Sequence, residues 1–336
     1  MKRPLHGVRI LDLTRLLPGA YCTLRLAGLG ADVIKIEEPG RGDYMRDLGL
    51  GELFTLVNRG KRSVALDLKA EAGRAALLRL AEAADVLVES FRPGTLARLA
   101  GDPRAANPHL IVCSLSGYGP DGPYRDWPGH DVNYLSVAGY LGLQRRPDED
   151  PVLPPTPLAD VLGGMEAAMA ITAALLAPVR GAAIELSLFE AARSVMLLPL
   201  VQGPAAHPGG SRLTGATPGY GVYRCQDGRH VGVGALEPQF WAALCAGLGR
   251  PDLVPLREQE PAAVQAALRA VFASQPMAHW ASTLPPEACV TPVLTLAEAL
   301  ADPQSQARAL FDVFPDLGPA PALGQHTAEI LHEIGM

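Results

Sequence analysis

In the first third of the chain, short apolar runs alternate with longer stretches in which apolar side chains recur at helical spacing. Val8 to Leu13 and Asp32 to Glu37 read as strands, and the helix between them, Gly19 to Leu29, is ended by Gly30. Alanine-rich Glu71 to Ala83 carries the stripe of an amphipathic helix and leads into a strand over Asp85 to Ser90. Leu110 to Ser116 is a further apolar run of strand length. This alternation predicts an α/β fold with an open, mainly parallel, Rossmann-like sheet. Its ligand belongs past the carboxyl ends of the strands.

The pattern then changes. Asp148 to Pro157 is acidic and holds four prolines, so it is a loop. Asp160 opens a long apolar helix that Pro178 ends, and a second helical pattern covers Ser187 to Leu200. The stretch from Gly203 to Gly219 is rich in Gly, Pro and Ser/Thr. Beyond it, YGVYRCQDGRHVGVGAL reads as a hairpin turning at Asp227-Gly228. Helices near Glu237 to Leu248, Pro261 to Ala273 and Met277 to Leu284 follow, then a strand within Cys289 to Leu296. The organisation expected is a large α/β domain over 1–200, completed by 301–336, a linker over 201–216, and a smaller α+β domain over 217–300.

Composition narrows the class of partner. The 336 residues are 48% hydrophobic and 19% charged, the profile of a folded globular chain. A net charge of −6 argues against nucleic acid as the main partner. The five cysteines are scattered without CxxC spacing, which suits reduced thiols in a cytoplasmic protein. No signal-peptide pattern opens the chain, and the apolar run from Met165 to Val179 falls short of the roughly 20 residues a bilayer crossing takes.

Candidate chemistry is sparse. Gly28-Leu-Gly30 resembles part of a dinucleotide fingerprint, but these glycines close a helix instead of opening one, so a helix cap is the better account. Arg59, Lys61 and Arg62 in NRGKRS, with Arg41 before and Arg92 after, lie near predicted strand ends. They fit phosphate contacts or a solvated basic loop equally well. Asp160 is placed as a helix N-cap, and the free N–H groups of that helix start are candidates to stabilise an anion. His130, in PGHDVNY, is followed at once by Asp131, which adjacency in sequence places badly to orient the imidazole. Glu237, just before Pro238, suits a helix start. No metal-spaced cluster is evident.

Taken together, GVRILDLTRLLPG, LGADVIKIEEPG, NRGKRSVALDLK, VLVESFRPGTLARL, LSGYGPDGPY, GHDVNYLSVAG, PLADVLGGM, CQDGRHVGVGALEPQFWAAL and ACVTPVL resemble the α-methylacyl-CoA racemases of the family III CoA-transferase superfamily, from about residue 5 to beyond 310. The resemblance implies His130 and Asp160 as an acid/base pair, with Glu237 hydrogen-bonding the histidine from the other subunit of an interlocked homodimer. It implies Arg41, Arg59, Lys61, Arg62 and Arg92 as CoA contacts, Arg92 foremost. Tyr134, Gly163 and Gly164 would border the substrate, the glycines allowing a bulky thioester to approach. Asp131 is left to brace the local backbone. The implied substrate is an acyl-CoA thioester, with no cofactor or metal. Inverting its α-carbon takes one proton carrier on each face, and free imidazole and carboxyl groups titrate near 6.5 and 3.9.

Overall fold

The computed structural model describes residues 3–146, 148–308, 314 and 316–336. They form two compact units: Met1–Leu141, Val152–Leu197 and Phe314–Met336 make the first, Gly142–Pro151 and Leu198–Val313 the second. The segment expected to be a linker therefore clusters with the second unit. It is shaped by 3-10 turns such as Arg212–Thr214, where the Ser211 hydroxyl caps Leu213 N–H at 3.2 Å.

The first unit is built on six parallel strands: β1 (Arg9–Leu13), β2 (Asp32–Glu37), β3 (Arg62–Ala65), β4 (Val86–Glu89), β5 (Ile111–Ser116) and β6 (Ala183–Ser187). Their order is β3-β2-β1-β4-β5-β6. Every residue of β4 is buried, as a central parallel strand covered on both faces requires. The helices of this unit are α1 (Leu16–Gly28), α2 (Gly51–Val57), α3 (Glu71–Glu82), α4 (Thr95–Ala100), α5 (Asp131–Val137), the start of α6 (Tyr140–Leu143), α7 (Leu158–Leu176) and α8 (Leu188–Ser194). One core, with Ile10, Leu26, Val88 and Ile171, packs α1 and α7 on one sheet face. The other, with Leu11, Leu77, Leu87 and Ile330, covers the opposite face. Gly30 ends α1 at φ +101°, a left-handed conformation that glycine adopts without strain, so its part is the cap expected.

The second unit holds the antiparallel sheet β7 (Tyr220–Arg224), β8 (His230–Gly234) and β9 (Val290–Pro292). The hairpin turns where expected, with Gly228 at φ +77°. After α9 (Leu197–Gln202), the helices α10 (Pro238–Gly247), α11 (Pro261–Phe272) and α12 (Met277–Thr283) close a core around Trp241, Phe272 and Trp280. The helices α13 (Leu296–Ala301) and α14 (Pro303–Arg308) follow. The chain returns to the first unit through α15 (Thr327–Glu333), whose Thr327 hydroxyl accepts from Ala65 N–H of β3 at 3.1 Å. All five cysteines are free.

The run expected to be too short for a bilayer belongs to a longer helix. α7 has 19 residues with a mean hydropathy of 1.5, long and apolar enough to cross a membrane. Its inner face is nonetheless part of the first unit's core. Ala159, Gly163, Gly164, Ala167 and Ile171 are all buried there.

Candidate active site

The strand order reverses between β1 and β4, and a crevice forms past the carboxyl ends of the strands at such a switch point. A cavity of about 510 Å³ occupies that place. Its floor is made by residues just after β1 (Arg15, Leu16, Pro18), after β4 (Ser90, Arg92) and at the end of β5 (Ser116). Its other side brings together His130, Tyr134 and Asp160.

His130 sits at the N-cap of α5, in extended backbone that Pro128 and Gly129 lead into. Its N–H donates to Asn133 Oδ1 at 2.9 Å, and Asn133 N–H donates back to the His130 carbonyl at 2.8 Å. This reciprocal pair fixes the residue at the mouth of the helix while leaving the side chain exposed. The buried Tyr134 secures the loop from beneath, its hydroxyl donating to the Gly129 carbonyl at 2.6 Å. A Cβ built at Gly129 would lie 2.8 Å from that ring, and one at Gly117 would lie 2.7 Å from its hydroxyl. Tyr134 thus lines the cavity and also braces the histidine loop.

Asp160 lies in the first turn of α7, but the cap residue is Pro157, so the N-cap reading of Asp160 is corrected. Proline offers no side-chain acceptor, and the acceptor arrives from α5 instead. Asp131 accepts a hydrogen bond from the Asp160 N–H at 3.2 Å to its Oδ1, with the N–H groups of Leu158 and Ala159 close by, and burial raises its carboxyl. The Asp160 N–H, one of the helix-start groups expected to stabilise a substrate anion, is therefore already occupied. Burial, and then the charge of Asp131, push the Asp160 carboxyl up to about 7. Burial first, with the Asp160 charge next, also pushes the Tyr134 phenol well above its ordinary range.

The basic residues separate into groups. Arg92 is exposed and lines the cavity. Arg41 is exposed, its guanidinium 4.4 Å from the centroid of Tyr44, a cavity residue. Arg59 donates to the carbonyls of Phe314 and Leu317, each at 3.2 Å. Lys61 has a fully buried ammonium that donates to Asp12, Ala20, Thr23 and Asn58 at 2.7–3.1 Å, so its assignment to phosphate is corrected. Arg62 heads β3 at the end of the sheet opposite the cavity and pairs with Asp32 at 2.7 Å and Glu333 at 2.6 Å, which corrects its assignment likewise.

Gly163 and Gly164 also have another task. A Cβ at Gly164 would stand 2.5 Å from the Pro18 carbonyl oxygen, and one at Gly163 would stand 2.5 Å from Leu188 Cδ2. They let α7 approach α1 and α8, and both are buried away from the cavity lining. Glu237 is the exposed N-cap residue of α10 in the second unit. Among the described residues no group of three or more His, Cys, Asp or Glu is placed to hold a metal.

Sequence reasoning missed Arg15 and Leu16. Arg15 donates to the Tyr44 hydroxyl and lies 5.7 Å from the Phe91 ring centroid. Leu16 has φ +62°, a region that residues with a Cβ rarely adopt, and its N–H is held by Asp43 at 3.2 Å. The tertiary contact with Asp43, not any local signal, fixes that conformation.

The chain is 35% identical to alpha-methylacyl-CoA racemase of Homo sapiens, across 98% of this chain and 93% of that protein. It is 34% identical to acetyl-CoA:oxalate CoA-transferase of Acetobacter aceti, across 91% and 85% of the two. Among solved structures, Rv3272 of Mycobacterium tuberculosis superposes with a TM-score of 0.87 at 30% identity, covering 98% of this chain and 99% of that one. A CAIB/BAIF family protein from Brucella suis gives 0.84 at 28%, covering 99% and 100%. The family described as CoA-transferase family III matches residues 5–328, and the chain belongs to that family.

Proposed function

We propose that this protein racemises 2-methyl-branched acyl-CoA thioesters by moving a proton off and onto the α-carbon. The observation that carries the reading is that His130 and Asp160, from separate segments of the chain, border one cavity, where burial and then the Asp131 charge push the Asp160 carboxyl up to about 7. A carboxyl so placed can give up and recover a proton at neutral pH. In one direction the His130 imidazole takes the α-proton. The C–H electron pair becomes the enolate double bond, the thioester oxygen takes the charge, and the Asp160 carboxyl returns a proton to the opposite face. The reverse direction exchanges the roles. No cofactor or metal is needed for this step, because the thioester itself holds the charge.

Arg92 and Arg41 are the residues to which we assign CoA phosphates, since both guanidinium groups are exposed at or beside the cavity. We assign Glu237 to the histidine of a second copy. An apolar stripe on α7 supports such a homodimer: Met165, Met169 and Leu176 are 44%, 68% and 82% exposed along one helix face. A soluble cytoplasmic homodimer without membrane or nucleic-acid partners completes the reading.

The test is incubation with a chiral 2-methylacyl-CoA ester in D₂O. Loss of optical purity should accompany deuterium uptake at the α-carbon, and His130→Ala and Asp160→Asn should abolish both. Turnover that leaves the α-hydrogen in place overturns the reading.

The second reading is CoA transfer between carboxylic acids, with the Asp160 carboxylate attacking the thioester carbonyl to form an acyl anhydride and release the CoA thiolate. The similar identity to the Acetobacter aceti acetyl-CoA:oxalate CoA-transferase and, at 32%, to the succinyl-CoA:glutarate CoA-transferase of Mus musculus favours it. Trapping the acyl group on Asp160 would establish it.

A further inference from the structure

Asp131 takes no part in the proton transfer just described, yet its carboxylate stands where α7 begins. The Asp160 N–H there donates to it at 3.2 Å, and the N–H groups of Leu158 and Ala159 lie close by. Pro157 supplies no cap of its own, so the helix start depends on a residue of α5. An empty helix N-terminus favours a negative charge in its first turn. Asp160 occupies that turn, and left to the helix alone it would ionise readily. With Asp131 seated on the terminus, the positive end of α7 is already answered, and a second negative charge beside the first is disfavoured.

The remaining groups around Asp160 do not reverse this. Tyr134 of α5 faces it as a buried phenol, with Tyr118 packed against that ring at a centroid distance of 5.1 Å. Leu16 and Pro18 near the start of α1 and Leu188 of α8 are the apolar neighbours in the cavity. Of the cations on the same walls, Arg15 is engaged by Tyr44, and Arg125 by Asp126 and the Pro120 carbonyl. Arg92 and His130 complete the titratable lining.

We propose that Asp131 is a positioning residue that occupies the N-terminus of α7 and thereby keeps the exchangeable proton on Asp160. Burial raises both carboxyls, but the rise of Asp131 is opposed by backbone N–H groups at the helix start, whereas nothing opposes that of Asp160, so of the two neighbours Asp131 keeps the charge and Asp160 the proton. The direction of the Asp160 shift agrees: burial raises it most, and Asp131 is the one charged group that adds to it. The inference deepens the racemase reading, but the state of Asp160 can be read without any turnover.

The experiment follows the carboxyl C=O infrared band of Asp160 with pH, assigned by its absence from Asp160→Asn, in the full-length protein and in Asp131→Asn, Asp131→Ser and Asp131→Glu. Asparagine and serine offer a neutral acceptor to the same N–H groups. Each should lower the proton affinity of Asp160 about tenfold or more, while glutamate, which restores the charge, should keep it near that of the native protein. A titration in the two neutral variants within about twofold of native overturns the inference. So does a native Asp160 that is already ionised at pH 5. In parallel, α-proton exchange in D₂O should move its pH profile in the same direction as the band. Absence of any exchange in the native protein would defeat the racemase reading, while the band would still decide the role of Asp131.

Discussion

The ammonium of Lys61 lies 3.1 Å from Asp12 Oδ2, and neither side chain has any solvent exposure. Burial alone would raise the Asp12 carboxyl, but Lys35, Lys61 and the hydroxyls of Thr14 and Thr23 together hold it far below the ordinary carboxylate range. Asp12 is therefore an anion throughout the physiological range, and Lys61 is its counter-charge beneath α1. Removing one member of such a pair leaves an uncompensated buried charge.

It follows that Lys61→Met should destabilise the fold by about 3 kcal/mol. CoA affinity, measured on the fraction that remains folded, should be unchanged. Thermal unfolding and CoA titration on the same sample separate these effects. A phosphate contact would give the opposite pattern, with full stability and weakened binding.

The two adjacent glycines of α7 make a graded prediction. Gly164→Ala meets the rigid Pro18 carbonyl at 2.5 Å, whereas Gly163→Ala meets the end of the Leu188 side chain at the same distance. Backbone cannot yield cheaply, so Gly164→Ala should cost about 2–3 kcal/mol, and Gly163→Ala should cost less because Leu188 can turn. Urea denaturation of the two variants checks the order. A larger effect of Gly163→Ala would show that the side-chain contact is the stiffer one.

How far the site was legible in the sequence depends on the range of the interactions involved. Strands β1, β2, β4 and β5 and helices α1, α3 and α7 followed from local periodicity, whereas the short edge strands β3 and β6 and the short helices α2, α4 and α5 did not; His130 and Asp160 followed from motifs that the resemblance supplied. The fates of Lys61 and of the glycines did not follow. The Asp12 and Thr23 partners of Lys61 lie 49 and 38 positions away, and a basic loop reads the same whether its lysine is buried or exposed. A glycine in a helix likewise does not say which surface approaches it. The helix start at Leu158 looked open because its acceptor, Asp131, lies 29 residues before Asp160.

The raised carboxyl of Asp160 has a consequence for stability. Its folded titration near 7 lies above the ordinary value of 3.8, so the folded state holds its proton more tightly than the unfolded chain does. The associated stability is fully present below about pH 4 and is lost as pH rises through about 7. Asp160→Asn, which cannot ionise, should therefore be more stable than the native protein at pH 8, by at most about 4 kcal/mol. The gain should shrink steadily as pH falls toward 5. Melting curves across that interval check the sign, and a gain independent of pH would mean that the carboxyl does not titrate there.

Arg92 and Arg62 were both expected to bind CoA, and the fold sends them to opposite ends of the sheet. Arg92 follows β4, exposed on the cavity wall. Arg62 begins β3, where Asp32, Glu329 and Glu333 stand within 2.6–3.0 Å of its guanidinium. These partners hold the cation so firmly that its proton affinity rises above even the usual arginine range, despite the burial that opposes it. Arg92→Ala should therefore raise KM for an acyl-CoA by about tenfold, as expected for the loss of one charge-assisted phosphate contact, with kcat and melting temperature nearly unchanged. Arg62→Ala should leave KM alone and lower stability by about 1–2 kcal/mol, because α15 loses one of its ties to the sheet. Steady-state kinetics and thermal melts on the two variants give a crossed pattern if each arginine acts at its own end. Equal KM effects would mean that the ion cluster at the start of β3 reaches the ligand after all.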